Sequence, residues 1–143
     1  MKALIFTIVI GLSTILYTQA QDTAIQWYSV EEAQAMQSSV EKPIFVDFTA
    51  VWCGWCKKMD QTTFSDEEVA EKMNASFYPV KLDIDSPEQF MFGGKKVTAK
   101  ELAQGVGITG LPTMVVFDPD LSSHELIVGY QKKNQFLGTI EAL

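Results

Sequence analysis

The sequence predicts a single α/β domain, a mixed β-sheet with helices on both faces. Apolar runs of strand length near residues 44–48, 77–84 and 113–117 alternate with stretches that open on a Ser/Thr-x-x-Glu spacing, a signature of helix N-termini. After the last run comes turn chemistry and one more strand, so the alternation closes on a hairpin. The 143 residues leave room for one such domain, and 47% hydrophobic with 20% charged residues is ordinary for a globular chain.

Residues 1–20 read as a secretory signal and 21–143 as the domain. Lys2 supplies a positive start, Ala3 to Tyr17 is apolar, and Thr18-Gln19-Ala20 ends on a small residue suited to cleavage before Gln21. The apolar run is short for a membrane span, which needs about 20 residues, so a cleaved signal is expected over an uncleaved anchor. No cysteine lies near the start, so a lipid-anchored form is not expected. The chain would then be exported, periplasmic or secreted. The net charge is −7, and loss of Lys2 with the signal makes it one unit more negative. That sign argues against binding to nucleic acid or to an anionic membrane surface.

Within the domain, Thr23 to Trp27 is read as a short first strand. Ser29 with Glu32 opens a helix over Val30 to Ser39. Pro43 leads into the central strand, where the apolar run Ile44 to Phe48, with Asp47 inside it, lacks the alternation of a half-exposed strand and so is read as buried. A helix follows Cys53 and runs to about Thr62, with Phe64 packed beneath it. Ser65 with Glu68 opens another, to about Asn74. Phe77 to Ile84 is a strand that must carry Pro79 near its start or on an edge. Ser86 to Lys96 reads as loop; its run Phe90-Met91-Phe92-Gly93-Gly94 suits either a partner-binding lip or a segment tucked into the core. Thr98 with Glu101 opens a helix to about Gln104. Thr113 to Phe117, the turn Asp118-Pro119-Asp120 and Glu125 to Val128 form a hairpin, and Asn134 to Leu143 one last helix. His124, Tyr130 and the scattered methionines have no site-like spacing and are read as turn, strand and core residues.

Cys53 and Cys56 are the two cysteines of the chain, spaced C-x-x-C at the start of the helix after the central strand. A helix N-terminus favours a thiolate at Cys53, through its unpaired N–H groups and the positive end of its dipole. Three residues on, Cys56 shares the face of the first turn, so the two sulfurs can meet and exchange. A structural staple explains the spacing poorly, because so short a loop constrains the unfolded chain little. Zinc usually takes four ligands, whereas the chain offers two cysteines and one histidine, His124. Thiol–disulfide exchange is therefore expected, with no metal and no cofactor beyond the cysteine pair itself.

The segment Val46-Asp47-Phe48 followed by Trp52-Cys53-Gly54-Trp55-Cys56-Lys57 resembles the active site of the thioredoxin superfamily. With Lys57-Lys58-Met59 after it, it is similar to the secreted or periplasmic thioredoxin-like branch, related to the C-terminal domain of the transmembrane disulfide reductase. The order of elements matches the thioredoxin fold from about Trp27 to the end. Trp55 departs from ordinary thioredoxin, which has proline there. The resemblance implies that Gly110-Leu111-Pro112-Thr113 is a cis-proline substrate loop with Pro112 facing the cysteines. From spacing alone it reads as an ordinary turn before a strand. The resemblance also implies that Asp47 lies beneath the cysteines, partnered by Lys81 on the next strand, and manages the proton of Cys56. A carboxylate in so apolar a run would have its pKa raised by burial. Trp52 and Trp55 would shield the disulfide and give substrates an apolar surface. Lys57 and Lys58 either lower the pKa of Cys53 or are solvated helix residues.

The expected function is an exported thiol–disulfide oxidoreductase that reduces disulfides in exported proteins, with Cys53 as nucleophile and Cys56 as resolving thiol. A membrane protein passing electrons from the cytosol would re-reduce it, and a monomer is expected. One alternative runs the same fold in reverse, as an oxidase or isomerase. The other is a binding module or chaperone that holds partner chains in the cis-proline groove. Replacing both cysteines by serine separates the classes, because a binding module keeps its partner affinity and an exchanger loses turnover.

Overall fold

A computed structural model describes residues 23–143, so the expected signal segment lies outside the described residues. The order is α1 (Val30–Gln37), β1 (Ile44–Thr49), α2 (Gly54–Thr62), α3 (Glu67–Ser76), β2 (Tyr78–Asp83), β3 (Gln89–Phe92), β4 (Lys95–Thr98), α4 (Ala99–Gly105), β5 (Thr113–Phe117), β6 (His124–Val128) and α5 (Lys133–Glu141). Four strands form the main sheet in the order β2-β1-β5-β6. β1 runs parallel to β2 and antiparallel to β5, and β6 closes the antiparallel hairpin with β5.

Alternation along the strands divides the core in two. Phe45, Met114 and Val116 pack against α2, α3 and α5 through Met59, Val69, Met73 and Phe136. On the other face, Ile44, Val46, Phe48, Val115 and Phe117 pack against α1 and α4 through Ala33, Leu102 and Ala103. Cover on both faces is why β1 reads as one apolar run. Two helix starts match their sequence signals. Ser29 and Glu32 complete a reciprocal capping box at α1, and Thr98 and Glu101 another at α4, each satisfying backbone donors that the first turn leaves open.

Three expectations are corrected. The first strand shrinks to a single bridge between Tyr28 and Val80. The residues before it are held by a side chain: Asn74 accepts from the Gln26 N–H at 2.8 Å and donates to the Ala24 carbonyl at 2.9 Å. Second, Asp66, not Ser65, caps α3. Its carboxylate accepts from the N–H groups of Glu68 and Val69, while the Ser65 hydroxyl donates back to Gln61. A charged acceptor makes the stronger cap bond and wins the position. Third, the segment expected to be loop holds the antiparallel hairpin β3–β4. Gly93 and Gly94 both take positive φ, as a two-residue hairpin turn of mirror-image type requires. Of the two readings of that segment, the tucked one holds. Phe90 is buried in the core, the Phe92 ring lies 4.8 Å from that of Phe117, and Gln34 donates to the Met91 carbonyl at 2.7 Å. Pro79 sits near the start of β2, at the edge of the main sheet.

The register fixes where the site lies. Phe48 pairs with Thr113 and with Leu82, so the chain leaving β1 towards the cysteines, the residues entering β5 and the end of β2 meet at one end of the sheet.

Candidate active site

At that end Cys53 and Cys56 are joined as a disulfide. Cys53 is the N-cap of α2, its Sγ accepting from the Cys56 N–H at 3.2 Å. Both sulfurs are nearly covered, packed with Ala50 against Ile84 and Leu111. The first turn of α2 has no acidic residue, so its free N–H groups and dipole face Cys53 with no carboxylate to offset them. Gly54 is not there for lack of space, since a Cβ would meet nothing within 4 Å.

The indoles beside the disulfide are open to solvent, Trp52 at 67% and Trp55 at 57% of their full exposure. Each is tethered. The Trp52 Nε1–H donates to Asp85 Oδ2 at 2.7 Å. The Trp55 ring lies 5.4 Å from that of Tyr130, whose hydroxyl hydrogen-bonds Thr62 at 3.0 Å. Lys58 Nζ stands 5.6 Å from the Trp55 ring centre, and Lys57 is exposed.

The Leu111–Pro112 peptide bond is cis. The loop is pinned at both sides: Pro112 accepts from the Gly129 N–H at 2.9 Å, and the buried Thr113 hydroxyl donates to the Gly110 carbonyl at 2.7 Å. Two clefts flank it. One, of about 230 Å³, lies between Trp52 and Leu111; the other, of about 320 Å³, lies between Trp55, Pro112 and Tyr130.

Beneath the surface Asp47 is 2% exposed. Burial raises its pKa to about 6, outweighing the attraction of Lys81. Lys81 faces it across the β1–β2 register, with Nζ 3.4 Å from Asp47 Oδ2. The same ammonium is also ion-paired to Asp60 and lies over the ring of Trp27, 4.6 Å from its centre. Asp60 stands one helical turn after Cys56, on the same face of α2. The three charges therefore form a chain from the interior of β1 to the turn below Cys56. By sharing Lys81, and by its own charge, Asp60 helps keep the Asp47 pKa high.

The cysteine pair thus packs with Leu111 and is flanked in the chain by Trp52, Gly54 and Trp55, while Leu111 carries the cis bond to Pro112, and Asp47 and Lys81 reach α2 through Asp60. His124 stands apart, against the ring of Phe117. No group of side chains able to hold a metal occurs among the described residues. Three neighbours escaped the sequence reading. Asp60 had a signal, its four-residue offset from Cys56. Asp85 and Tyr130 come to the site through turns with no local pattern, and Tyr130 is corrected from a strand residue to the partner of Trp55, beyond the end of β6.

Residues 30–143 match the thioredoxin-like domain family. The chain belongs to that family. The thiol:disulfide interchange protein DsbD of Campylobacter jejuni is 33% identical over 102 residues, covering 70% of this chain. The chain spans only 16% of that relative's length. Among solved structures, the oxidised C-terminal domain of Neisseria meningitidis DsbD superposes with a TM-score of 0.60 at 25% identity, covering 82% of this chain and 98% of that one. A thioredoxin from Thermus thermophilus superposes with a TM-score of 0.67 at 25% identity, covering 83% and 86%. Fold and cysteine pair together are those of a thioredoxin-like domain.

Proposed function

We propose that the protein is an exported disulfide reductase working through Cys53 and Cys56. The observation that supports this reading is the buried Asp47, with its pKa near 6 and its link through Lys81 to the helix turn below Cys56. A group of that pKa can take and return a proton near neutral pH.

In the dithiol form, Cys53 ionises at the N-terminus of α2 and its thiolate attacks one sulfur of a target disulfide. A mixed disulfide forms and the target's other sulfur leaves as a thiolate. Cys56 then passes its proton to Asp47, directly or through water, and attacks Cys53 Sγ. The second target sulfur departs and is protonated. The target has gained two electrons and two protons, and the protein ends as the Cys53–Cys56 disulfide. Lys81 steadies the Asp47 carboxylate that accepts the Cys56 proton. Leu111, Pro112 and Thr113 shape the surface on which the target lies, and Trp52 and Trp55 keep water from the mixed disulfide. Lys57 adds positive potential near Cys53. Because the cysteine pair carries the electrons, the cycle needs no metal or organic cofactor.

The proposed targets are disulfides of exported proteins, met by a monomer in the periplasm or outside the cell. A membrane-bound electron donor would restore the dithiol. No helix among the described residues is long and apolar enough to cross a membrane. The test is a Cys56→Ser variant, which lacks the resolving thiol. Exposed to disulfide-containing proteins, it should accumulate mixed disulfides on Cys53 that dissolve on adding a strong thiol. Absence of such adducts, or adducts that persist when Cys53 is also replaced, would remove Cys53 from the role of nucleophile.

A further inference from the structure

The two clefts beside the cis-proline loop differ in charge. The one between Trp55, Pro112 and Tyr130 has no charged residue in its lining. The one between Trp52 and Leu111 is floored by Ile84, Ala103 and Ile108, and has Lys100 at its rim. Lys100 is the single charged residue lining it, is exposed, and lies within 4 Å of no carboxylate among the described residues.

Two acids in this part of the chain keep their charge but are held by other donors. Asp85 accepts from the Trp52 indole and Glu101 is bound into the Thr98 capping box. Nor does Lys100 serve its helix. It stands in the first turn of α4, where the dipole disfavours a cation. On a chain of net charge −7, Lys100 at the rim of an apolar cleft beside the disulfide has no ion-pair partner among the described residues and can meet an acidic group. At about 230 Å³ the cleft falls below the range of roughly 300–1,000 Å³ usual for small-molecule sites, and is the size for one or two side chains.

The geometry points to an asymmetric substrate preference: the partner is a polypeptide segment with an apolar residue and an acidic residue on one side of its target cysteine. The apolar side chain enters the cleft between Trp52 and Leu111, and the carboxylate meets Lys100. On the other side of the cysteine the neutral cleft beside Trp55 takes an apolar residue without regard to charge. This inference rests on the reductase reading and adds the class of substrate.

The test uses the reduced protein and a set of peptides, each with one cysteine held in the same mixed disulfide. Aspartate, asparagine or lysine is placed on one flank or the other, next to leucine. An exposed ion pair contributes roughly two- to fivefold in binding. The aspartate peptide should therefore show a kcat/KM higher than the asparagine peptide by about that factor, through KM, for one flank only. The preference should shrink with added salt and vanish in Lys100→Gln, and Lys100→Glu should favour the lysine peptide instead. Equal kcat/KM for all peptides, or a preference that survives Lys100→Gln, overturns the inference while leaving the reductase reading intact. If the wild-type protein reduces none of them, nor a small neutral disulfide, the reductase reading itself fails and the inference with it.

Discussion

Replacing Asp47 by asparagine removes one ionisation and keeps the shape of the side chain. With a folded pKa of about 6 against 3.8 for the unfolded chain, the neutral acid is favoured in the folded state. Stability from this group is fully present below pH 3.8 and is lost as pH rises through 6, because between those values the unfolded chain has already released the proton. At 1.36 kcal/mol per pH unit, the shift amounts to about 3 kcal/mol, most of which is lost between about pH 4 and pH 8. Any hydrogen bond of the acid that the asparagine amide fails to match costs the same at both pH values and cancels. Urea unfolding of the oxidised wild type and of Asp47→Asn at those two pH values gives the comparison. The stability of the variant relative to wild type should rise by about 2 kcal/mol or more from the lower to the higher pH. A relative stability that does not change with pH would mean that Asp47 ionises normally. The proton-transfer role would then lose its basis. In the reduced protein the same substitution should slow resolution of the mixed disulfide by about a hundredfold or more at neutral pH, within the usual range for a lost general base.

Asp60→Asn should act in the opposite sense on Asp47, since it removes a negative neighbour and leaves Lys81 to a single carboxylate. Carbon-detected NMR titration should then place the Asp47 pKa below 6, and the acid limb of the resolution rate should move with it. A titration unmoved by Asp60→Asn would show that the shared ammonium has no influence. In the β3–β4 hairpin, Phe90→Ala should cost about 3–5 kcal/mol because it empties a core position, whereas exposed Met91→Ala should stay within about 0.5 kcal/mol of wild type. Chemical denaturation of the two variants reads the difference, and equal effects would mean that the hairpin does not pack as described.

What the sequence made legible follows the range of the interaction. The capping boxes at Ser29 and Thr98 are contacts over three residues, and both form as read. The buried run of β1 and the C-x-x-C start of α2 are equally local, and they placed the disulfide at the sheet end. Ser65 shows the limit: its spacing to Glu68 fits a capping box, but Asp66 beside it offers a better acceptor and the helix starts one residue later. The Gly93-Gly94 pair was a hairpin signal, read as loop because β3 and β4 are short and form a separate two-stranded sheet. At the site, the pairing of Asp47 with Lys81 came from family resemblance, and the register then put them opposite each other. Asp85 and Tyr130 join through contacts across 33 and 68 residues, which no local pattern encodes, whereas Asp60 lies a local four-residue step after Cys56.

The most direct test of the reductase proposal is the reduction potential of the Cys53–Cys56 pair. The protein would be equilibrated in defined thiol–disulfide buffers and followed by the fluorescence of Trp52 and Trp55, which stand beside the disulfide. A value near the thioredoxin end of the scale, about −270 mV, is the predicted result and means that the dithiol gives up electrons readily. A value near about −120 mV would make the pair an oxidant, and the direction of electron flow proposed here would be reversed.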